Sequence, residues 1–168
     1  LDDSDTSSGL NTIDLSNDNS SGTSTVNLSG ITDVGTDPTI GGFTVTAGAD
    51  DTTIVGTANN DTITGGAGVD NITGGSGDDT ITGGGDADIL TGGADNDTFI
   101  YGDAAEFVSN SSVVDSIDGG ENTDRVSITD TAGFTIAAGD LDGRIANVEI
   151  LDLGVTAADF GTISITLD

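Results

Sequence analysis

Residues 56 to 100 say one nine-residue phrase five times without a gap: GTANNDTIT, GGAGVDNIT, GGSGDDTIT, GGGDADILT and GGADNDTFI. No other feature restricts the fold as much, because a unit this short cannot bury a face alone and must stack on its neighbours. Position 6 is aspartate in every copy (Asp61, Asp70, Asp79, Asp88, Asp97), and position 8 is large and apolar (Ile63, Ile72, Ile81, Leu90, Phe99). Upstream the phase continues in 38–46 and 47–55, with Val45 and Ile54 at position 8 but no aspartate at position 6. Downstream it returns in GGENTDRVS at 119–127, seven whole periods after Gly56, with Asp124 and Val126 in those two places. The two intervening nines, from Tyr101 and from Asn110, have lost the glycines.

Each position has a physical task. The Thr-Ile-Thr alternation makes a short strand with one side chain inward and its neighbours outward. Paired glycines permit the positive φ of a turn too tight for Cβ atoms. Two such units form one coil of a spiral, and the position-8 side chains line a narrow core between two sheets. Turns n and n+2 then lie about 4.8 Å apart along the stack, and their aspartates must approach. Like carboxylates at that range do not both stay charged cheaply, so either one protonates or a cation sits between them.

Composition favours the cation. The chain has 30 acidic residues against two bases, Arg125 and Arg144, a formal charge of −28. Self-repulsion of that size opposes compaction unless counter-ions bind, and it makes nucleic acid and anionic membrane poor partners. With no histidine or cysteine, zinc has none of its usual soft or imidazole ligands. A hard ion taking six to eight oxygens, from carboxylates and turn carbonyls, is calcium; magnesium's stricter octahedron suits such a turn less well. The absence of cysteine also means that no disulfide braces the chain.

These repeats resemble the calcium-binding nonapeptides of the repeats-in-toxin (RTX) family. The resemblance is specific over 56–100, extends to 47–55 and 119–127, and is absent as a motif from 1–37. It implies an all-β fold, a calcium-bound parallel β-roll or β-solenoid, with β-rich segments flanking it. It also implies ligands from two stacked turns: carbonyls of positions 2 and 4 with the Asp of one turn, and carbonyls of positions 1 and 3 with the Asp two repeats on. Carried over, the first site is Thr57, Asn59 and Asp61 with Gly74, Ser76 and Asp79. The second is Gly66, Gly68 and Asp70 with Gly83, Gly85 and Asp88; the third is Gly75, Gly77 and Asp79 with Gly92, Ala94 and Asp97. Asp79 is then the one carboxylate shared by two well-formed sites, with Asp97 at the end of the block. Three ions in 56–100 would take the charge from −28 to −22.

Further ions are expected around Asp50, Asp86, Asp103, Glu106, Asp115, Asp118 and Asp124. One would use Gly84, Asp86 and Asp88 with the 101–106 segment; a partial one would use Gly48, Asp50, Gly65, Ala67 and Asp70. Another is expected where Asp115, Asp118 and Asp124 cluster around Gly119 and Gly120. Thr57 stands in place of a glycine, and Asn59, Asp86 and Asp95 replace the position-4 glycine, where Asn and Asp tolerate left-handed backbone.

The chain divides by pattern into a polar β-rich flank at 1–46, the roll at 47–100 and a β-rich flank at 101–168 carrying the outlying repeat at 119–127. In the first flank NTIDLS and STVNLSG read as strands, with a low-complexity linker over 1–37 as the competing reading. In the last, DAAEFVS at 103–109 has helix-forming composition, and SVVDSIDGG, DRVSI, GFTIAA, NVEILDL and TISITLD read as strands. The segments DSIDGGENTDRVSI and IANVEILDL resemble segments that accompany RTX blocks in bacterial surface-layer and other surface proteins. No apolar run approaches the roughly 20 residues of a membrane span, and no basic n-region with an apolar h-region opens the sequence; a start at Leu1 suggests a fragment or a processed product.

Five buried apolar side chains cannot offset the ordering of a block this long, so folding is expected to depend on the ion. Extracellular calcium modules bind at about 10⁻⁴ to 10⁻³ M, so such a chain stays open inside a cell and closes outside, and the resemblance implies unfolded export by a type I secretion system. Without histidine, cysteine or lysine the usual general bases and activated nucleophiles are missing, and no enzyme is expected. Three functions compete: a calcium-dependent structural or assembly module of a secreted bacterial surface protein, of the surface-layer or adhesin type, with other copies or cell-surface components as partners; the C-terminal secretion and folding domain of an exported protease, lipase or toxin; and an ice-binding solenoid. The last would use outward threonines, Thr62 with Thr64, Thr80 with Thr82, and Thr98, although threonine is favoured on any exposed strand.

Overall fold

Alternate nines build alternate sheets. Ile63 pairs in register with Ile81, and Ile81 with Phe99, along one sheet; Ile54 pairs with Ile72, and Ile72 with Leu90, along the other. Each step is 18 residues, two nonapeptides per coil, and every pairing is parallel, so the repeat block is a parallel β-roll. The computed structural model describes residues 12–16, 22–31, 42–102, 104–109, 112–129, 135–136, 143–154 and 164–165.

The first sheet consists of β1 (Thr12–Asp14), β3 (Thr44–Thr46), β5 (Thr62–Gly66), β7 (Thr80–Gly84), β9 (Thr98–Tyr101), β13 (Arg125–Ile128) and β16 (Ile150–Leu153), stacked in that order. The second stacks β2 (Ser24–Asn27), β4 (Thr52–Val55), β6 (Asn71–Ser76), β8 (Ile89–Ala94), β12 (Ser116–Gly120) and β15 (Ile145–Ala146). Period-2 alternation turns one side chain per strand inward. Val45, Ile54, Ile63, Ile72, Ile81, Leu90, Phe99, Ile117 and Val126 form one buried file between the sheets.

Both sheets run past the ends of the repeat block. At the N-terminal end Ile13 pairs with Val45 and Val26 with Ile54, so NTIDLS and STVNLSG supply strands that continue the roll through longer coils; the rest of 1–37 lies outside the described residues, 22–31 apart. At the C-terminal end Ile117 stacks on Leu90 and Val126 on Phe99, both 27 residues on rather than 18. The additional nine residues leave the spiral as helix α1 (Ala104–Phe107) and the antiparallel pair β10 (Val108–Ser109) and β11 (Ser112–Val113). Phe107 turns back inward, fully buried, with its ring edge-on to Tyr101 at 5.0 Å between centroids. The segments GFTIAA and TISITLD contribute β14 (Thr135–Ile136) and β17 (Ser164–Ile165), which pair with each other.

Candidate metal centre

The turns between strands are where the acids gather. Position 2 is left-handed in each full turn of the block, with φ of +120° at Gly66, +127° at Gly75, +112° at Gly84 and +130° at Gly93. A methyl group on Gly75 would overlap the Thr57 carbonyl oxygen, so the turn below can approach only because the side chain is missing. Position 4 is also left-handed at Gly77, Asp86 (66°) and Asp95 (77°), as expected for Asp in place of glycine. Asn122 repeats that conformation at 80° and Gly120 at 110°, so the outlying GGENTD segment adopts the same turn.

This backbone points the position-6 aspartates into the stack. The backbone N–H of Asp61 donates to Oδ1 of Asp79 (2.7 Å), Asp79 to Asp97 (2.9 Å), and Asp97 to Asp124 (2.7 Å). On the opposite edge Thr52 donates to Asp70 (2.7 Å), Asp70 to Asp88 (2.8 Å), and Asp88 to Asp115 (2.9 Å). Two columns of carboxylates result, each residue 0–2% exposed. One oxygen of each carboxylate is thus used by the roll.

The other oxygen is not. Oδ2 of Asp70, Asp79, Asp88, Asp97 and Asp124 is buried with no hydrogen-bond partner. Such a group costs on the order of 1–3 kcal/mol, and more when charged. Burial, opposed only in part by the backbone donors, raises the carboxyl of Asp79 to about 8, those of Asp88 and Asp97 to about 7, and that of Asp70 to about 6. Asp115 and Asp124 shift upward for the same first reason.

Beside each unpartnered oxygen is a space that a Cβ would fill. A methyl group on Gly92 would meet both Asp97 Oδ2 and the carbonyl oxygen of Gly119 (2.5 Å); one on Gly65 would meet Asp70 Oδ2 and the Gly83 carbonyl (2.6 Å). A position-6 carboxylate and the position-1 carbonyl of the next coil therefore converge on the same cradle. Among the described residues no three acidic side chains gather at one point, so a cation here rests on carbonyls as much as on carboxylates. That oxygen-only donor set fits calcium.

Two carboxylates are satisfied without an ion. Thr57 donates its N–H (2.6 Å) and its hydroxyl (3.0 Å) to Asp61 Oδ2, so the residue standing in place of glycine caps the first turn of its column. Tyr101 donates its hydroxyl to Asp115 Oδ2 at 2.6 Å.

Several expectations need correction. Asp97 does not end its column, because Asp124 stacks on it, so Asp79 is not alone in lying between two carboxylate turns. Asp88 is followed by Asp115 and not by the 101–106 segment; Glu106 is exposed, its carboxylate accepting the Gly102 N–H. Asp103 lies outside the described residues. Asp115 and Asp124 go to different columns, while exposed Asp118 accepts the Asn147 amide (2.7 Å). Gly48 stacks under Gly66 as expected, its carbonyl accepting the Ala67 N–H (3.0 Å), but Thr52 takes the place of a carboxylate there. The nine from Asn110 still has Asp115 at position 6 and Ile117 at position 8, a signal that its missing glycines concealed.

Stacked coils of two nines, with a buried acid at every turn and carbonyls facing it, define a calcium-binding parallel β-roll. The comparison with known families names it more closely: residues 46–81 and 65–99 match the RTX calcium-binding nonapeptide repeat. Residues 46–99 are an RTX repeat array and bind calcium. No curated protein and no solved structure matches the chain. RTX repeats are typical of exported, extracellular proteins, and no helix among the described residues is long and apolar enough to cross a membrane.

Proposed function

We propose that this chain is a calcium-dependent structural and assembly module of a secreted bacterial surface protein, of the surface-layer or adhesin type, which folds after export. The observation that carries this reading is the set of five unpartnered Oδ2 atoms inside a roll whose sheets continue into both flanks. A roll held by ions from the turn of Asp70 to that of Asp124 is a spacer or building block that sets only where calcium is abundant. In the repeat block the ions are held by the carboxylates of Asp70, Asp79, Asp88 and Asp97 with the turn carbonyls named above. Nothing in this reading requires catalysis by the chain itself.

Circular dichroism tests it. The far-ultraviolet spectrum should pass from coil to β as calcium rises to about 1 mM, the range of extracellular calcium modules, and revert with chelator, with magnesium much less effective. A chain already β-rich in excess chelator would sink the reading. Light scattering in calcium then separates an assembling module from a terminal secretion domain, which should stay monomeric. A second reading is supported by one specific feature: Thr44, Thr62, Thr80 and Thr98 align in one outward file and Thr46, Thr64 and Thr82 in another. That regular hydroxyl lattice suits ordered water, and absence of thermal hysteresis in the calcium-loaded protein removes it.

A further inference from the structure

The column of Asp61, Asp79, Asp97 and Asp124 does not stop at the last glycine-rich turn. The N–H of Asp124, which by the pattern should meet an aspartate, donates to Oε2 of Glu149 at 2.8 Å. Glu149 directly precedes β16, whose Leu151 stacks in register on Val126. It therefore occupies the place of a position-6 acid, although the local sequence, RIANVEILDL, has none of the nonapeptide's glycines.

The cradle beside it is built like those above. A methyl group on Gly119 would meet Asp124 Oδ2 (2.6 Å) and overlap the carbonyl oxygen of Asn147, as one on Gly92 would meet Asp97 Oδ2 and the Gly119 carbonyl. Asn147 is in the left-handed region at φ +51°, so a turn with no glycine still delivers its carbonyl to this point. Asp124 is 0% exposed, and its Oδ2 has no partner. The other column ends differently, with Asp115 Oδ2 closed by the Tyr101 hydroxyl. A buried carboxylate oxygen that converges with a carbonyl and has no hydrogen-bond partner, with the exposed Glu149 carboxylate held at the same turn by the Asp124 N–H, calls for a hard cation.

We propose that Asp124, Glu149 and the Asn147 carbonyl hold a calcium ion beyond the nonapeptide repeats, ending one column on a metal where the other ends on a hydroxyl. This rests on calcium binding by the repeats and extends it to residues that carry no repeat motif. The ion ties the turn at 147–149 to the roll, on which β16 is already held by its pairing with β13.

The test counts ions. The full chain and its Glu149→Gln and Asp124→Asn variants are dialysed to equilibrium against about 1 mM calcium, and bound calcium is measured by atomic emission, with circular dichroism as the check on folding. The Glu149→Gln change keeps a side-chain oxygen to accept the Asp124 N–H and removes only the charge, so a purely structural Glu149 predicts no change. Glu149→Gln should bind one ion fewer than the parent with its β signal intact. Asp124→Asn, bordering this cradle and the one above, should lose more. An unchanged count in a folded Glu149→Gln chain overturns the terminal site. A parent that binds no calcium refutes the repeat reading itself, so the two failures are distinguishable.

Discussion

The backbone N–H of Asp79 donates to Oδ1 of Asp97 at 2.9 Å across one coil, while the Oδ2 atoms of both residues have no partner. The two oxygens of each carboxylate thus do separate jobs. One fixes the spacing of turns, and the other is left for a cation. Removing such a residue removes a support of the roll together with a ligand, which is why ion binding and folding are linked here.

Asp79→Ala and Asp97→Ala should therefore be about equally damaging, since each sits between two carboxylate turns. Asp61→Ala should be milder. Its Oδ2 is already held by Thr57, and the turn before it offers Phe43 at position 6 and no acid. In calorimetric titration the two interior variants should bind fewer ions and show a higher calcium midpoint than Asp61→Ala. Equal behaviour of all three would mean that the carboxylates act singly and that the column has no interior.

Glycine substitutions separate backbone shape from ligand chemistry. At Gly75, φ is +127° and a Cβ would overlap the Thr57 carbonyl oxygen, so Gly75→Ala carries strain of order 1–3 kcal/mol. At Gly85 a Cβ would lie 3.7 Å from the Ala67 Cα, an ordinary contact. Gly85→Ala keeps its carbonyl and loses unfolded-state entropy, so its stability should be unchanged or higher by a few tenths of a kcal/mol. Urea unfolding in saturating calcium compares them; a large loss in Gly85→Ala would show that this position needs something besides its carbonyl.

Much of this was legible because the repeat fixes strand, turn and acid in one phrase. The 18-residue register, the inward file from Ile54 to Phe99 and the position-6 aspartates all follow from period and residue type. The sequence hides whatever breaks phase. The place of Asp115 in the Asp88 column, though not its candidacy as a ligand, was obscured by the loss of glycines in its nine, because a 27-residue coil diverts its slack into α1 and the β10–β11 pair and does not need the tight turn. Glu149 was obscured by a coil of yet another length, although an acid two residues before an inward Leu151 repeats the spacing of Asp124 and Val126. The capping by Thr57 and Tyr101 is invisible to any period, since each depends on one hydroxyl reaching one carboxylate.

The raised carboxyl pKa values make both folding and binding depend on pH, in opposite senses. Asp79, Asp88, Asp97 and Asp70 move from an ordinary 3.8 to about 8, 7, 7 and 6 in the folded chain without metal. A group whose folded pKa is raised stabilises the fold fully below its unfolded pKa and loses that contribution as pH rises through the folded one. The calcium-free roll should therefore gain β structure on acidification from about pH 8 to about pH 4, the window those shifts define. Calcium needs the ionised carboxylates, so its folding midpoint should rise over the same descent as protons compete. Circular dichroism titrations at several pH values measure both. A midpoint that does not move between about pH 8 and about pH 6 would show that the buried acids are already ionised before calcium arrives.

Tyr101→Phe isolates the hydroxyl that closes the other column. Tyr101 and Asp115 are 2% and 1% exposed, and the 2.6 Å bond between them satisfies the one oxygen of Asp115 that the Asp88 N–H does not reach. Burial and the charge of Asp115 hold the phenol far above its ordinary pKa, so it stays a donor at every working pH. The phenyl ring of the variant keeps the edge-on packing against Phe107, so only the hydrogen bond is lost. An unpartnered buried oxygen costs about 1–3 kcal/mol, and urea unfolding at the lowest calcium concentration that keeps the roll folded should show a loss of that size. Ion counts should rise by one at high calcium, because Asp115 Oδ2 then resembles the five oxygens left to cations. A variant as stable as the parent, with the same ion count, would mean that Asp115 is neutral in the fold and needs neither the hydroxyl nor a metal.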